Sequence, residues 1–214
     1  AEETGAGAYP CTELFEKEQV TEIYGAHNLP GFTFGQVYTR TGTFACGSEG
    51  MTLKFHGKTT HAAYPENGLS PAHAVGELLR QVPEFLTPEY YTGMVLCTVI
   101  GVQMGEKAFG AAAADAEVWL TLRAEHEKDL ELLRETVWRT AKDLAGADGL
   151  GVEMEEQDVF PSTENDPGCA AKVMERCNGK PLEVPMRWSE DFGHYLKKCK
   201  GAFFNNVQNP RSNA

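Results

Sequence analysis

The sequence predicts an α/β fold in which a partial α/β domain is interrupted by a ferredoxin-like βαββαβ unit. Three observations point there. Strand and helix signals follow in the order β-α-β-β-α-β between residues 48 and 158, enough for a complete two-layer unit. The flanks, residues 1–47 and 159–214, are each too short to bury a core alone. Both flanks nevertheless carry strand and helix signals, which are most simply satisfied by one shared domain.

Within the insert, Met51, Leu53 and Phe55 alternate with Thr52, Lys54 and His56, the period of a half-buried strand. Ser70-Pro71 follows as a helix N-cap with proline in the first helical position. Val75, Leu78, Leu79 and Val82 share one face of that helix, and Pro83 ends or kinks it. Met94–Val102 is apolar and β-rich. Ala116, Val118, Leu120 and Leu122 then alternate with Glu117, Trp119, Thr121 and Arg123. A long helix over Glu127–Ala145 carries Leu130, Leu133, Val137, Ala141 and Leu144 at spacings of three and four, and a last strand covers Gly151–Gln157.

The first flank reads as a helix, a strand near Val20–Ala26 and an extended stretch near Gly35–Thr39. The second reads as two helices. One runs from Pro167 to Asn178, capped by Asp166 and stopped by Gly179; the other starts at Ser189. So thin a set of strands in the flanks suggests further elements upstream.

A net charge of −12 over 214 residues excludes the phosphate-neutralising surface that nucleic acid requires, and a basic membrane-surface protein with it. No apolar run approaches the roughly 18 residues of a membrane-spanning helix. The cysteines, Cys11, Cys46, Cys97, Cys169, Cys177 and Cys199, contain no Cys-x-x-Cys pair. Their scatter fits reduced, mostly buried thiols in a cytoplasmic enzyme.

Four residues carry candidate chemistry. Glu2 and Glu3 are adjacent, so an extended backbone sends them in opposite directions. One can hold a metal while the other faces an attacking water, a division suited to metal-assisted hydrolysis. The pair is also what an ordinary solvated chain start looks like. His27 closes a short strand and precedes Asn28-Leu29-Pro30-Gly31, at the C-terminal edge where open α/β sheets place ligands. His61 sits between small residues and Pro65 on the loop after the first strand of the insert, a place for a reaching side chain. Each histidine alone could equally be a strand cap or a surface residue. Ser189-Glu190-Asp191-Phe192 reads as a capped helix start whose acids complement the helix dipole.

Together these strings resemble the M20 metallopeptidase family, in particular its amidohydrolase branch of hippurate, N-acyl amino acid and auxin-conjugate hydrolases. The matching strings are Ala1-Glu2-Glu3, Gly25-Ala26-His27-Asn28-Leu29-Pro30-Gly31, His61-Ala62-Ala63-Tyr64-Pro65, Ser189-Glu190-Asp191-Phe192 and Gly201-Ala202-Phe203-Phe204. The resemblance implies a catalytic domain split into residues 1–47 and 159–214 around a lid and dimerisation domain at 48–158. It implies a hydrolase that cleaves the amide bond of N-acyl amino acids or short peptides with a metal-activated water. Glu2 would be the general base, and Glu3 and His27 ligands of a centre of two divalent ions (Mn, Zn, Co or Ni). His61 would reach across a homodimer formed through the lid to stabilise the oxyanion, while Glu190 or Asp191 would lie near the metals.

The sequence also departs from the family. The upstream strand and helix with a His/Asp ligand and a Cys/His-Gly-His-Asp string are absent, as is a last ligand histidine after Phe204. The implied reading is a chain shortened at both ends. Gly110-Ala111-Ala112-Ala113 stands where relatives carry Asn-Val-Ile-Pro. The alternative reading is a non-catalytic relative that serves as a dimerisation or small-molecule-binding module.

Overall fold

Strand β4 (Gly47–His56) begins the central unit, and its sequence shows how that unit folds. Met51, Leu53 and Phe55 point to one face and are fully buried. They meet Val118, Leu120 and Leu122 of β6 (Asp115–Ala124), which obey the same alternation. The computed structural model describes residues 7–206. Those residues divide into two units, one of 49–124 with 128–157, the other of 7–48, 125–127 and 158–206.

The first unit is a four-stranded sheet in the order β5-β6-β4-β7, with β5 at Val95–Met104 and β7 at Gly151–Phe160. The βαββαβ order expected from the sequence is present, with helices α3 (Ala72–Gln81) and α4 (Glu127–Ala147) between the strands. Leu78 of α3 and Leu133, Val137 and Ala141 of α4 complete the core. Their spacing of three and four residues aligns them on one helical face.

Strand β4 starts four residues before the alternating pattern does. Gly50 admits this extension, since a Cβ there would stand 3.2 Å from the Gln157 carbonyl. The expected Ser70 cap is corrected. Pro71 takes the cap position, and the Ser70 hydroxyl reaches the Ala72 N–H only at 3.4 Å. Pro83 acts as expected, since α3 stops at Gln81 and a 3-10 turn follows over Glu84–Leu86.

The second unit holds a sheet in the order β1-β10-β2-β9 and a separate antiparallel pair, β3 with β8. These strands are β1 (Glu22–His27), β2 (Val37–Thr39), β3 (Gly42–Ala45), β8 (Thr163–Asn165), β9 (Lys180–Pro181) and β10 (Lys200–Asn206). Strands β1 and β10 run parallel, with His27 opposite Asn205. Two short helices, α1 (Ala8–Cys11) and α2 (Glu13–Lys17), replace the one helix expected before β1.

Helix α5 (Pro167–Arg176) is capped by Asp166, whose Oδ1 accepts the Cys169 N–H at 3.0 Å, as the sequence predicts. Its stop differs. Asn178, with φ +48°, takes the left-handed turn, so the conformation expected of Gly179 falls one residue earlier. Cys169 and Val173 of α5 pack on Val37 and Ala202. A second cluster of Phe44, Ala45, Phe192 and Phe203 lies beside β1, and Gly25 is what lets it close. A Cβ on Gly25 would stand 2.6 Å from the Phe203 ring and 2.7 Å from the Phe192 ring.

All six cysteines are free thiols. Cys46, Cys97 and Cys169 are buried while Cys11 and Cys177 are exposed, so burial holds for half of them. Among the described residues no helix is long and apolar enough to cross a membrane.

Candidate functional site

His27 is the last residue of β1, at the C-terminal edge of its parallel pairing with β10. Its side chain is about half exposed, and its Nε2 stands 3.4 Å from Oε1 of Glu190, a buried carboxyl. The Trp188 ring lies beside the imidazole, with centroids 5.5 Å apart. His27 Nδ1 lies 3.2 Å from the Asn28 carbonyl oxygen. A carbonyl only accepts, so Nδ1 carries a proton, and in the neutral ring Nε2 presents a lone pair. That lone pair and a carboxylate oxygen of Glu190 then face one another. Two acceptors at this distance repel unless a proton or a metal cation lies between them, which is the arrangement a cation site requires.

The tetrapeptide Ser189–Phe192 does not begin a helix, which corrects the expectation from sequence. Helix α6 covers only Gly193–Leu196. The Ser189 hydroxyl bonds to Ser48 Oγ at 2.8 Å instead of capping, and Asp191 accepts the Ala8 N–H at 2.8 Å. The segment is therefore an irregular connection tied at both ends, and Glu190 is left to reach His27. Burial, the Cys11 thiol and the Asp191 carboxylate together push the nearby Tyr195 hydroxyl above its ordinary value.

His61 belongs to the other unit, on the loop after β4, and is exposed. That loop zips antiparallel onto residues 110–114. Gly57 N–H donates to the Ala114 carbonyl, Ala112 N–H to Thr60 and Ala62 N–H to Gly110, at 2.8–3.0 Å. His61 itself pairs with Ala111. The Ala63 N–H donates to His61 Nδ1 at 3.0 Å, so Nδ1 is the acceptor and Nε2–H a donor left open among the described residues. The tautomer is the opposite of that of His27. Beside this ladder lies a cavity of about 540 Å³ whose lining includes Thr59, Ala111 and the carboxylates Glu106, Asp115 and Glu117.

Of the other histidines, His56 faces Asp115 at 3.1 Å and His73 faces Asp148 at 2.9 Å, both surface pairs. Glu2 and Glu3 lie outside the described residues. Among the described residues no three His, Cys, Asp or Glu side chains form a metal-binding group, so His27 and Glu190 stand as a pair of donors.

Sequence reasoning left Glu190 without a role and passed over Asn205. Asn205 is fully buried opposite His27, and its Oδ1 accepts the Leu29 N–H at 3.1 Å. An asparagine directly after the apolar run Ala202-Phe203-Phe204 was the available signal.

Residues 45–149 match the peptidase dimerisation domain, M20_dimer. The chain carries an M20 dimerisation domain. Around that domain the similarity continues. The chain is 28% identical over 221 residues to the N-acetyldiaminopimelate deacetylase of Streptococcus thermophilus, covering 95% of this chain and 56% of the relative. It is 26% identical over 217 residues to the hippurate hydrolase of Campylobacter jejuni, covering 96% and 57%. It thus spans a little over half the length of these curated relatives. A dinuclear metal binding M20 peptidase of Bacillus subtilis superimposes with a TM-score of 0.76 at 22% identity, over 96% of this chain and 53% of that one. The fold on both sides of the matched domain is therefore similar to that of this solved peptidase, and the relatives named are a deacetylase and an amide hydrolase.

Proposed function

We propose that the chain contributes to a metal-dependent hydrolase that cleaves the amide bond of N-acyl amino acids or short peptides. The observation that carries this reading is the approach of His27 Nε2 to a buried Glu190 oxygen at 3.4 Å, with Nδ1 turned to the Asn28 carbonyl. Divalent ions bound there would lower the pKa of a coordinated water and polarise the scissile carbonyl. His27 would be a ligand together with Glu3, and Glu190 would ligate or orient. Glu2 would take the water's proton.

His61 supports the same reading from the lid, residues 48–158, because its Nε2–H is the form that donates to a developing oxyanion. Removing such a donor costs roughly 2.7–4 kcal/mol of barrier. In the reading it acts across a homodimer formed through the lid. In favour, β5 lies at the edge of its sheet and leaves Ile100 61% exposed. Residues 1–47 and 159–214 would be the two parts of the catalytic domain. The substrate would be a small amide, as it is for the named relatives, and the setting cytoplasmic.

The test measures bound Mn, Zn, Co and Ni on this chain and on a version extended upstream. A panel of N-acetyl, N-benzoyl and dipeptide substrates is run alongside. Glu2→Gln should abolish turnover with metal retained, whereas Glu3→Ala and His27→Ala should lose metal. Absence of both metal and hydrolysis in the extended protein would overturn the proposal.

A further inference from the structure

We infer that Asn205 is a positioning residue that fixes the tautomer and orientation of His27 through the Asn28–Leu29 peptide. The inference rests on the reading of His27 as a metal ligand, and it names a residue that this reading does not use.

One peptide plane joins the two side chains. Its carbonyl, that of Asn28, lies 3.2 Å from His27 Nδ1 and accepts a hydrogen bond from Nδ1–H. Its N–H, that of Leu29, donates to Asn205 Oδ1 at 3.1 Å. The amide side chain thus holds one end of the plane while the other end orients the imidazole. Bonds in such a chain polarise one another, so the bond from Leu29 to Asn205 makes the Asn28 carbonyl a better acceptor. The outcome is a proton held on Nδ1 and a lone pair on Nε2, directed at Glu190 Oε1.

The anchor is rigid. Asn205 is fully buried in β10 and paired in register with His27 on one side and Tyr38 on the other. Paired residues of neighbouring strands project to the same sheet face, so Asn205 and His27 share one. A second observation separates this residue from a packing asparagine. Its Nδ2 is buried with no hydrogen-bond partner among the described residues. A buried, half-satisfied amide destabilises a fold, and an apolar side chain of similar size would avoid that cost. Packing therefore does not account for an amide here, whereas the acceptor it supplies to Leu29 does.

The inference is tested on the ¹⁵N-labelled chain by long-range ¹H–¹⁵N spectra at alkaline pH, where imidazole is neutral. The His27 signals are assigned with His27→Gln, and Zn²⁺ alone is titrated in parallel. The native chain should show His27 protonated at Nδ1. Asn205→Leu, which removes the acceptor, should shift His27 toward the Nε2–H form and weaken Zn²⁺ binding about tenfold or more, as loss of an outer-shell partner does. Asn205→Asp, which keeps an oxygen for Leu29, should retain the native tautomer.

His27 protonated at Nε2 in the native chain would overturn the inference whether or not any variant folds. So would an unchanged tautomer and Zn²⁺ affinity in Asn205→Leu. If the native chain binds no Zn²⁺ but the tautomer follows the acceptor, the positioning role stands and the metal reading fails.

Discussion

Glu49 offers the sharpest test of the energetics of the dimerisation domain. It lies on β4 with only 5% of its surface exposed, and its Oε1 is buried without a hydrogen-bond partner among the described residues. Burial pushes its carboxyl from the ordinary 4.5 up to about 7, with the Arg134 guanidinium pulling it down and the Glu156 carboxylate pushing it further up. Arg134 of α4 is already engaged, at 2.7 Å from Glu156 and 3.7 Å from Glu131. It therefore cannot fully compensate a charge on Glu49.

The sign follows from proton counting. Between about pH 4.5 and pH 7 the folded chain holds a proton on Glu49 that the unfolded chain has released, so stability falls as pH rises through this window. The contribution is fully present below pH 4.5 and lost above pH 7. A shift of roughly 2.5 pKa units corresponds to a loss on the order of 3 kcal/mol. Glu49→Gln removes the titration while conserving shape. Urea denaturation of both proteins from pH 4.5 to pH 8 should show the variant gaining on the native chain as pH rises, by about 3 kcal/mol in total. The amide adds its own constant cost, but it does not titrate. A difference between the two proteins that stays flat across this range would refute the reasoning.

Two further changes test other parts of the structure. Asp129, buried at the start of α4, accepts bonds from Thr92 N–H, Thr92 Oγ1 and Gly93 N–H at 2.9–3.0 Å. Asp129→Ala leaves three donors without it and should cost on the order of 3 kcal/mol in thermal denaturation, with Asp129→Asn costing less. Gly25→Ala places a methyl against the Phe203 and Phe192 rings and should destabilise by about 1–3 kcal/mol in urea, displacing β1 and the His27 signals with it.

How much of this was legible in the sequence depended on period. The alternation of Ala116–Arg123 and the three-four spacing from Leu130 to Leu144 specify β6 and α4, because each buries a face that the core requires. Strands β3 and β8 escaped notice because three or four residues are too few to show a period. The misreading of Ser189 has a different cause. Its cap-like sequence is overridden by tertiary bonds from Ser189 to Ser48 and from Asp191 to Ala8, partners that no local pattern reveals. The position of His27 was readable, as a histidine closing a strand before a turn. Its partner Glu190 was not, since their approach depends on the path of the chain between β9 and α6.

The two histidines show why residue type alone underdetermines chemistry. Both are imidazoles on loops or strand ends, and sequence assigns them opposite tasks, a ligand and a donor, only through resemblance. The backbone around each supplies the physical distinction. At His27 a carbonyl accepts from Nδ1–H, which leaves Nε2 with the lone pair of the neutral ring. At His61 an amide N–H caps Nδ1 and exposes a donor. The neighbouring peptide thus selects the electronic form, and it is held in turn by a more distant group, Asn205 in one case and the 110–114 ladder in the other. Substitutions in those holding groups should alter the chemistry of each imidazole without touching it.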